Sequence, residues 1–354
     1  MQGLELARIF YDEHVEPMLR EQFPEVMDHI TVGLTGSGSE CYGFDDSVSE
    51  DHDFEPGVCI FLPGGDLVDS RTEFRLSRAY AALPEEICGY RRSRLSPVGG
   101  GRHGVIRAAD FWNEKLGLPD GMPDDETWLR LPEYALAEAV NGEIFWDGDG
   151  SFTGVRKYLR HYPQQVRMKK LAGYLLLMNQ AGMYNYRRCL KHGEEAAAQL
   201  AVFEYVKAAM HAIFLLNDRY MPYYKWSFRA MHSLPALASL CESLDYLMTT
   251  GNDPDSAVVK TGVISDIDRA VESVVKLSGL VTERTREIGV GLTMGARAAA
   301  ASSGQRAEEE STKASEGFFG SSAPEVNLER LAYELNDSIA DGSLRNLHIL
   351  TGVE

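Results

Sequence analysis

The sequence predicts an α+β protein, a small mixed-sheet domain followed by an α-helical bundle. Three observations carry that expectation. Up to about residue 152, short apolar runs bounded by Gly, Pro and Asp alternate with helical patterns. From about residue 153, long stretches of helical spacing follow one another with no strand-like run between them. The first strand-like run also leads directly into a turn rich in glycine and serine.

Taken in order, Leu4, Ile9, Phe10, Val15, Met18 and Leu19 fall near one face of a helix over 4–21, with Pro17 as a kink and Pro24 as a stop. ITVGL reads as a short buried strand, and FEPGVCIFLP as a second one after a polar loop. Residues 69–83 read as a helix, HGVIRA as a third strand, and AADFWNEKLG as a short helix ended by Gly117. A helix over 132–141 precedes the strand in GEIFWDGDG, which closes in an Asp/Gly turn. The helical patterns then run through VRKYLRHYP, QVRMKKLAGYLLLMNQAGMYNYRRCLKHG, EEAAAQLAVFEYVKAAMHAIFLLNDRYMP, ALASLCESLDYLM and DIDRAVESVVKLSGLVTERTREIG. Residues 297–323, rich in Ala, Ser, Glu and Gly, read as a disordered linker. The expected division is therefore 1–152, a helical domain over 153–296, the linker over 297–323 and a short helical tail over 324–354.

Bulk properties narrow the function classes. A chain of 354 residues with a formal charge of −18 repels phosphate backbones and anionic lipid surfaces, which argues against nucleic-acid and membrane partners. Cys41, Cys59, Cys88, Cys189 and Cys241 are scattered and show no CxxC spacing, against a disulfide framework or a zinc site. The N-terminal stretch lacks the apolar segment of a signal peptide, and LAGYLLLM (171–178) and AAMHAIFLL (208–216) are too short to span a bilayer. The expected location is the cytoplasm.

The segment that carries chemistry is GSGSECYGFDDSVSEDHDF, residues 36–54. Gly36, Ser37, Gly38 and Ser39 let backbone N–H groups approach a phosphate closely, and the serines add hydroxyls. Asp51 and Asp53 follow at i and i+2, which on a strand share one face. Two carboxylates on one face can share hard cations that bridge nucleotide phosphates. His52 between them falls on the opposite face and reads as a structural hydrogen-bond partner; Asp45 and Asp46 read as turn or cap residues. Further along, RYMPYYKW (219–226) admits two readings. It is either a helix–helix corner packed by aromatics, or a site where Lys225 reaches phosphate beside Tyr223 or Trp226. Arg187, Arg188 and Lys191 read as a solvated helix face.

This pattern resembles the nucleotidyltransferase superfamily, of the polymerase-beta-like and kanamycin nucleotidyltransferase-like kind, whose signature is Gly-Ser, a spacer and Asp-x-Asp. With NGEIFWD, YPQQV and LLNDRYMPYYKW, the longer string resembles the bacterial DUF4037 family over roughly residues 30–235. The resemblance implies that Gly38 and Ser39 hold nucleotide phosphates, and that Asp51 and Asp53 hold Mg²⁺ and carry catalysis. It implies a third carboxylate on a later strand. HGVIRA has none and Asp110 lies beyond it, while Glu143 and Asp147 flank IFW, with Glu143 as the candidate. The implied reaction moves a nucleoside monophosphate from a nucleoside triphosphate, ATP foremost, to a hydroxyl of a small-molecule acceptor. A homodimer stays open. The competing readings are an inactive nucleotide-binding regulatory module, favoured by the uncertain third carboxylate, and a metal-dependent phosphohydrolase that would need His103 and further ligands.

Overall fold

A computed structural model of the chain describes residues 1–46, 55–92, 103–281 and 326–354. The fold is α+β, and its contacts divide it into two units. The first comprises Met1–Tyr162 and Arg219–Ala230, the second Pro163–Asp218 and Met231–Glu354. The expected linker 297–323 lies outside the described residues.

The first unit opens with α1 (Gly3–Phe10) and α2 (Glu16–Gln22), joined without a break by a π-helical turn at Tyr11–Val15. Pro17 has no N–H to give and its ring crowds the preceding turn; the widened turn just before it absorbs both. One inserted residue rotates the following helix by about 100°. The buried face is consequently Leu6, Ala7 and Phe10 before the turn and Val15, Met18 and Leu19 after it, while Leu4 and Ile9 are only half-buried.

Among the described residues the main sheet has the order β5–β2–β1–β6. The central strand β1 (Thr31–Leu34) is antiparallel to both β2 (Cys59–Leu62) and β6 (Glu143–Asp147), and β2 is parallel to β5 (Gly104–Arg107). The β1–β6 ladder slips between Val32 and Gly33, leaving Phe145 as a bulge residue. β2 shows the period of two that sheets impose. Ile60 and Leu62 enter the core under the N-terminal helix. Phe61 points the other way, 5.1 Å from the Phe111 ring and 4.3 Å from Phe152. Those rings belong to α4 (Ala108–Leu116) and α7 (Ser151–Leu159), which cover that face. Between β2 and β5 lie α3 (Ser70–Ala81) and a hairpin of β3 (Glu86–Ile87) and β4 (Tyr90–Arg91), whose turn places Cys88 and Gly89 at positive φ. α5 (Asp125–Arg130), capped by Asp124, and α6 (Glu133–Val140) lead into β6.

The returning segment 219–230 is anchored in this unit by aromatic packing. Tyr220 lies 4.9 Å from the ring of Tyr162, which in turn meets the fully buried Trp128 at 5.3 Å. The Tyr220 hydroxyl donates to the carbonyl of Leu159, and the Met221 amide donates to Glu133 at 3.2 Å.

The second unit is helical. α8 (Gln164–Met178) is buried on nearly every side and continues through a π-helical stretch, Asn179–Tyr186, into α9 (Arg187–Lys191). Among the described residues it also holds α10 (Glu195–Leu216), α12 (Cys241–Thr249), α13 (Pro254–Leu277), α14 (Leu328–Asp337) and α15 (Gly342–Arg345), and α11 (Tyr224–Met231) runs from one unit into the other. α10 is long and apolar enough by length and composition to cross a membrane, and 61% of its apolar window is buried inside the fold. Buried polar groups pin this bundle. Lys169 donates to Asn336 at 2.8 Å and to the carbonyl of Leu347 at 2.7 Å, holding the C-terminal segment. Lys260 donates to Gln199 and Asn252, at 3.0 and 3.2 Å.

Candidate functional site

The Gly36–Ser39 turn leaves the C-terminal end of β1, the middle of the sheet. It is clamped from α6 and the residue that follows it. The Gly36 amide donates to the Asn141 side-chain oxygen at 2.9 Å, and the Asn141 amide nitrogen returns a bond to the Gly36 carbonyl at 2.8 Å. That pair imitates one rung of a strand ladder at the point where the ladder ends. Thr35 donates to the Glu138 carbonyl at 3.1 Å. Gly142, at φ +65°, fits its Cα against the Leu34 carbonyl, where any Cβ would collide, and its amide donates to the Cys41 carbonyl at 2.8 Å. The sheet pairing of β1 with β6 therefore fixes the turn from both ends.

Charged groups converge on the same turn. The Ser37 hydroxyl donates to the Glu138 carboxylate at 3.2 Å, and the Lys115 ammonium donates to Ser37 at 3.1 Å and to Glu138 at 2.9 Å. Burial pulls the lysine's proton affinity down, and the bond to Glu138, its charge and that of Glu114 more than reverse this. The net direction is above the ordinary lysine value. Gly38 has φ +136°, and a Cβ there would run into the carboxylate of Glu40, which is buried. Ser39 starts the short turn Glu40–Tyr42 without a side-chain capping bond. Burial and the Glu138 charge push the Tyr42 hydroxyl above its usual range.

Beyond the turn, Tyr42 stacks on Phe44 at 5.8 Å, and Phe44 meets Trp226 at 6.0 Å. Arg229 donates to the Phe44 carbonyl and pairs with Asp46 at 3.0 Å. Lys225, exposed, places its ammonium 4.9 Å above the Trp226 ring. Asp45 accepts from the Gly3 amide at 2.7 Å, a backbone-holding role. The segment 219–230 thus reaches the stretch that leads toward Asp51 and Asp53. Asp51, His52 and Asp53 themselves lie outside the described residues.

Glu143 opens β6 opposite Leu34, and its half-exposed carboxylate pairs with Arg8. Asp147 accepts from Thr31 at 2.8 Å and from the Thr153 amide at 2.8 Å, closing the turn into α7. His103 contacts Glu55 at 3.2 Å. Among the described residues no group of three His, Cys, Asp or Glu side chains is placed to hold a metal ion.

Sequence reasoning missed Lys115, Glu138, Asn141 and Arg229. One weak signal existed: Glu138 and Asn141 stand three apart at the end of a helix and share its face.

No curated protein matches the chain. The family model of the domain of unknown function DUF4037 matches residues 128–227, a span that holds Glu138, Asn141 and Lys225, and it supports the DUF4037 family for this chain.

Proposed function

We propose that the chain is a nucleotidyltransferase: it moves a nucleoside monophosphate from a nucleoside triphosphate, ATP foremost, to a hydroxyl on a small-molecule acceptor. The observation that carries this reading is the Gly36–Ser39 turn. It sits at the end of a central strand, is held rigid by Asn141 and Gly142, and is followed by the Asp51–Asp53 pair. Preorganised backbone donors and cations suit phosphoryl transfer, which needs positioning and charge stabilisation more than covalent machinery. The donor set Asp51 and Asp53 is made of hard carboxylate oxygens, which fits Mg²⁺. The neighbouring acids Glu40, Asp46 and Glu138 are only partly balanced by Arg229 and Lys115, so a polyphosphate here would gain from a bound cation. Bound Mg²⁺ would neutralise the phosphates and the departing pyrophosphate. The chain's own share is to hold the phosphate tail against the turn, with Lys225 and Arg229 supplying positive charge beside it. The exposed rings of Tyr223 and Tyr224, with the half-buried Trp226 beside them, offer apolar surface for a base or acceptor.

A second reading is a nucleotide-binding regulatory module without turnover. It is favoured by Glu143, the expected third carboxylate, being paired with Arg8.

Thermal-shift binding of ATP, GTP, CTP and UTP, with and without Mg²⁺, tests both. A metal-dependent shift that vanishes in Asp51→Ala/Asp53→Ala supports the site. Pyrophosphate release on adding acceptors supports the transferase, and binding with no release under any acceptor supports the regulatory module. No shift with any nucleotide overturns both.

A further inference from the structure

We infer that Lys115 is a phosphate-binding lysine of this site, held between Ser37 and Glu138 until the tail of a nucleoside triphosphate takes it over. The inference rests on the nucleotide-binding reading above and adds a residue that the sequence pattern does not point to.

The first support is position. Lys115 is carried by α4, whose Phe111 and Trp112 are locked into the aromatic cluster with Phe61 and Phe152. Its ammonium is therefore placed by a rigid helix and not by a loop. It lies at the Gly/Ser turn: a Cβ built on Gly36 would come within 3.8 Å of Lys115 Cε and 4.0 Å of Nζ. The ammonium therefore stands beside the backbone of the turn, bonded to the Ser37 hydroxyl at 3.1 Å.

The second support is how its three donors are spent. Two go to groups sheltered by the fold, the half-buried Ser37 and the Glu138 carboxylate, whose side chain is only 15% exposed. The third faces Glu114 at 3.3 Å, and that carboxylate is 67% exposed. An exposed, solvent-screened contact of this kind is weak. A phosphate oxygen can replace it at little cost while the bond to Ser37 keeps the lysine aimed at the turn. Lysine suits such a role as a compact point charge with three rotatable donors.

The third support is electrostatic. The pair leaves Lys115 protonated and neutralised by Glu138, so the positive charge is stored at the turn without repelling the cations that must arrive with the nucleotide. Arrival of a polyphosphate supplies several negative oxygens against the single charge of Glu114, and the ammonium shifts toward them. Glu138 is then the group that competes with phosphate for Lys115.

The test is calorimetric titration of the full chain with MgATP and, separately, with AMP, on wild type, Lys115→Met and Glu138→Gln. Lys115→Met is expected to weaken MgATP binding at least about tenfold, the scale of one charge-assisted contact, and to leave AMP within about twofold. Glu138→Gln keeps the shape, removes the competing charge, and is expected to tighten MgATP severalfold. Equal MgATP affinity in Lys115→Met and wild type overturns the inference while leaving the nucleotide reading intact. So does a loss of ATP and AMP binding in equal measure, which marks a purely structural lysine. Should Lys115→Met fail to fold, Glu138→Gln decides alone: unchanged or weaker MgATP binding overturns the inference. A wild type that binds no nucleotide removes the inference together with the reading it rests on.

Discussion

The two units bury lysines in opposite ways. In the first, Lys115 is surrounded by carboxylates, Glu138 at 2.9 Å and Glu114 at 3.3 Å, and its proton is held above the ordinary value despite burial. In the second, the fully buried Lys169 and Lys260 are met by neutral oxygens: Asn336 and two backbone carbonyls for one, Gln199 and Asn252 for the other. Burial pulls both of those below the ordinary value. A lysine balanced by an anion can exchange that anion for another. A lysine satisfied by fixed amide and carbonyl oxygens is a pin, because moving it strands several acceptors at once. The helical unit spends its buried polar groups on holding helices together, and the sheet unit spends them on a turn.

The comparison can be broken in several ways. The largest effect is expected from Asp268, buried in the helical unit and bonded by the Tyr205 hydroxyl at 2.7 Å. Burial pushes this carboxyl up to about 7, against 3.8 in the unfolded chain. Between those values the folded state holds a proton that the unfolded state has released. Its contribution to stability is therefore greatest below about pH 4 and falls as pH rises toward 7. The swing is at most about 4 kcal/mol. Urea unfolding of wild type and Asp268→Asn across pH 4.5–7.5 checks it, and an equal pH slope in both would show that Asp268 does not titrate in this window.

Next comes Gly142→Ala, expected to destabilise the sheet unit by about 3 kcal/mol, from positive φ plus a backbone collision with Leu34. A midpoint shift worth less than about 1 kcal/mol would mean the turn tolerates repositioning. Lys169→Met strands the side-chain oxygen of Asn336 and the carbonyl of Leu347, while the Arg345 carbonyl keeps its bond from the Asn336 amide, and is expected to cost about 2 kcal/mol. Faster proteolytic release of residues 326–354 is the matching local readout, and a stabilised variant would refute the pin. The smallest effect belongs to Arg229→Ala. Its pair with Asp46 is nearly half exposed on both sides, so the loss is expected below about 1 kcal/mol, while nucleotide affinity falls if the arginine borders the site. A large stability loss with unchanged affinity would make it a structural brace.

Much of the fold was legible because it follows local pattern. The apolar run before the Gly/Ser turn became β1, GVIR became β5, and Gly117 ends α4 at positive φ as a helix-terminal glycine does. The π-helical turn at Tyr11–Val15 was not legible, since one extra residue in a turn leaves the composition unchanged and only rotates the phase. The β3–β4 hairpin escaped notice because its strands are two residues long and its Cys-Gly turn lacks the usual Asn-Gly or Asp-Gly signal. α5 does carry a local signal: Asp124 caps it, accepting from the Thr127 amide at 2.9 Å. In the candidate site the turn itself is local sequence, so Gly36 to Ser39 could be picked out. Lys115, Glu138 and Asn141 could not, because each sits on or at the end of a helix and meets the turn only through side-chain hydrogen bonds that span 78, 101 and 105 residues of chain.

The division of the chain has a consequence for how the protein is made. The sheet unit needs Arg219–Ala230, and the whole of α8, α9 and α10 is synthesised before that segment appears. At about 5–20 residues per second on the ribosome, the wait is on the order of several seconds, far longer than a small domain takes to fold. During that interval Trp128 and Tyr162 lack Tyr220, and Phe44 lacks Trp226. The nascent sheet unit therefore spends its first seconds with an uncovered aromatic face, which gives chaperones a reason to bind. A gene fragment stopped at residue 162 would freeze the protein in that unfinished condition.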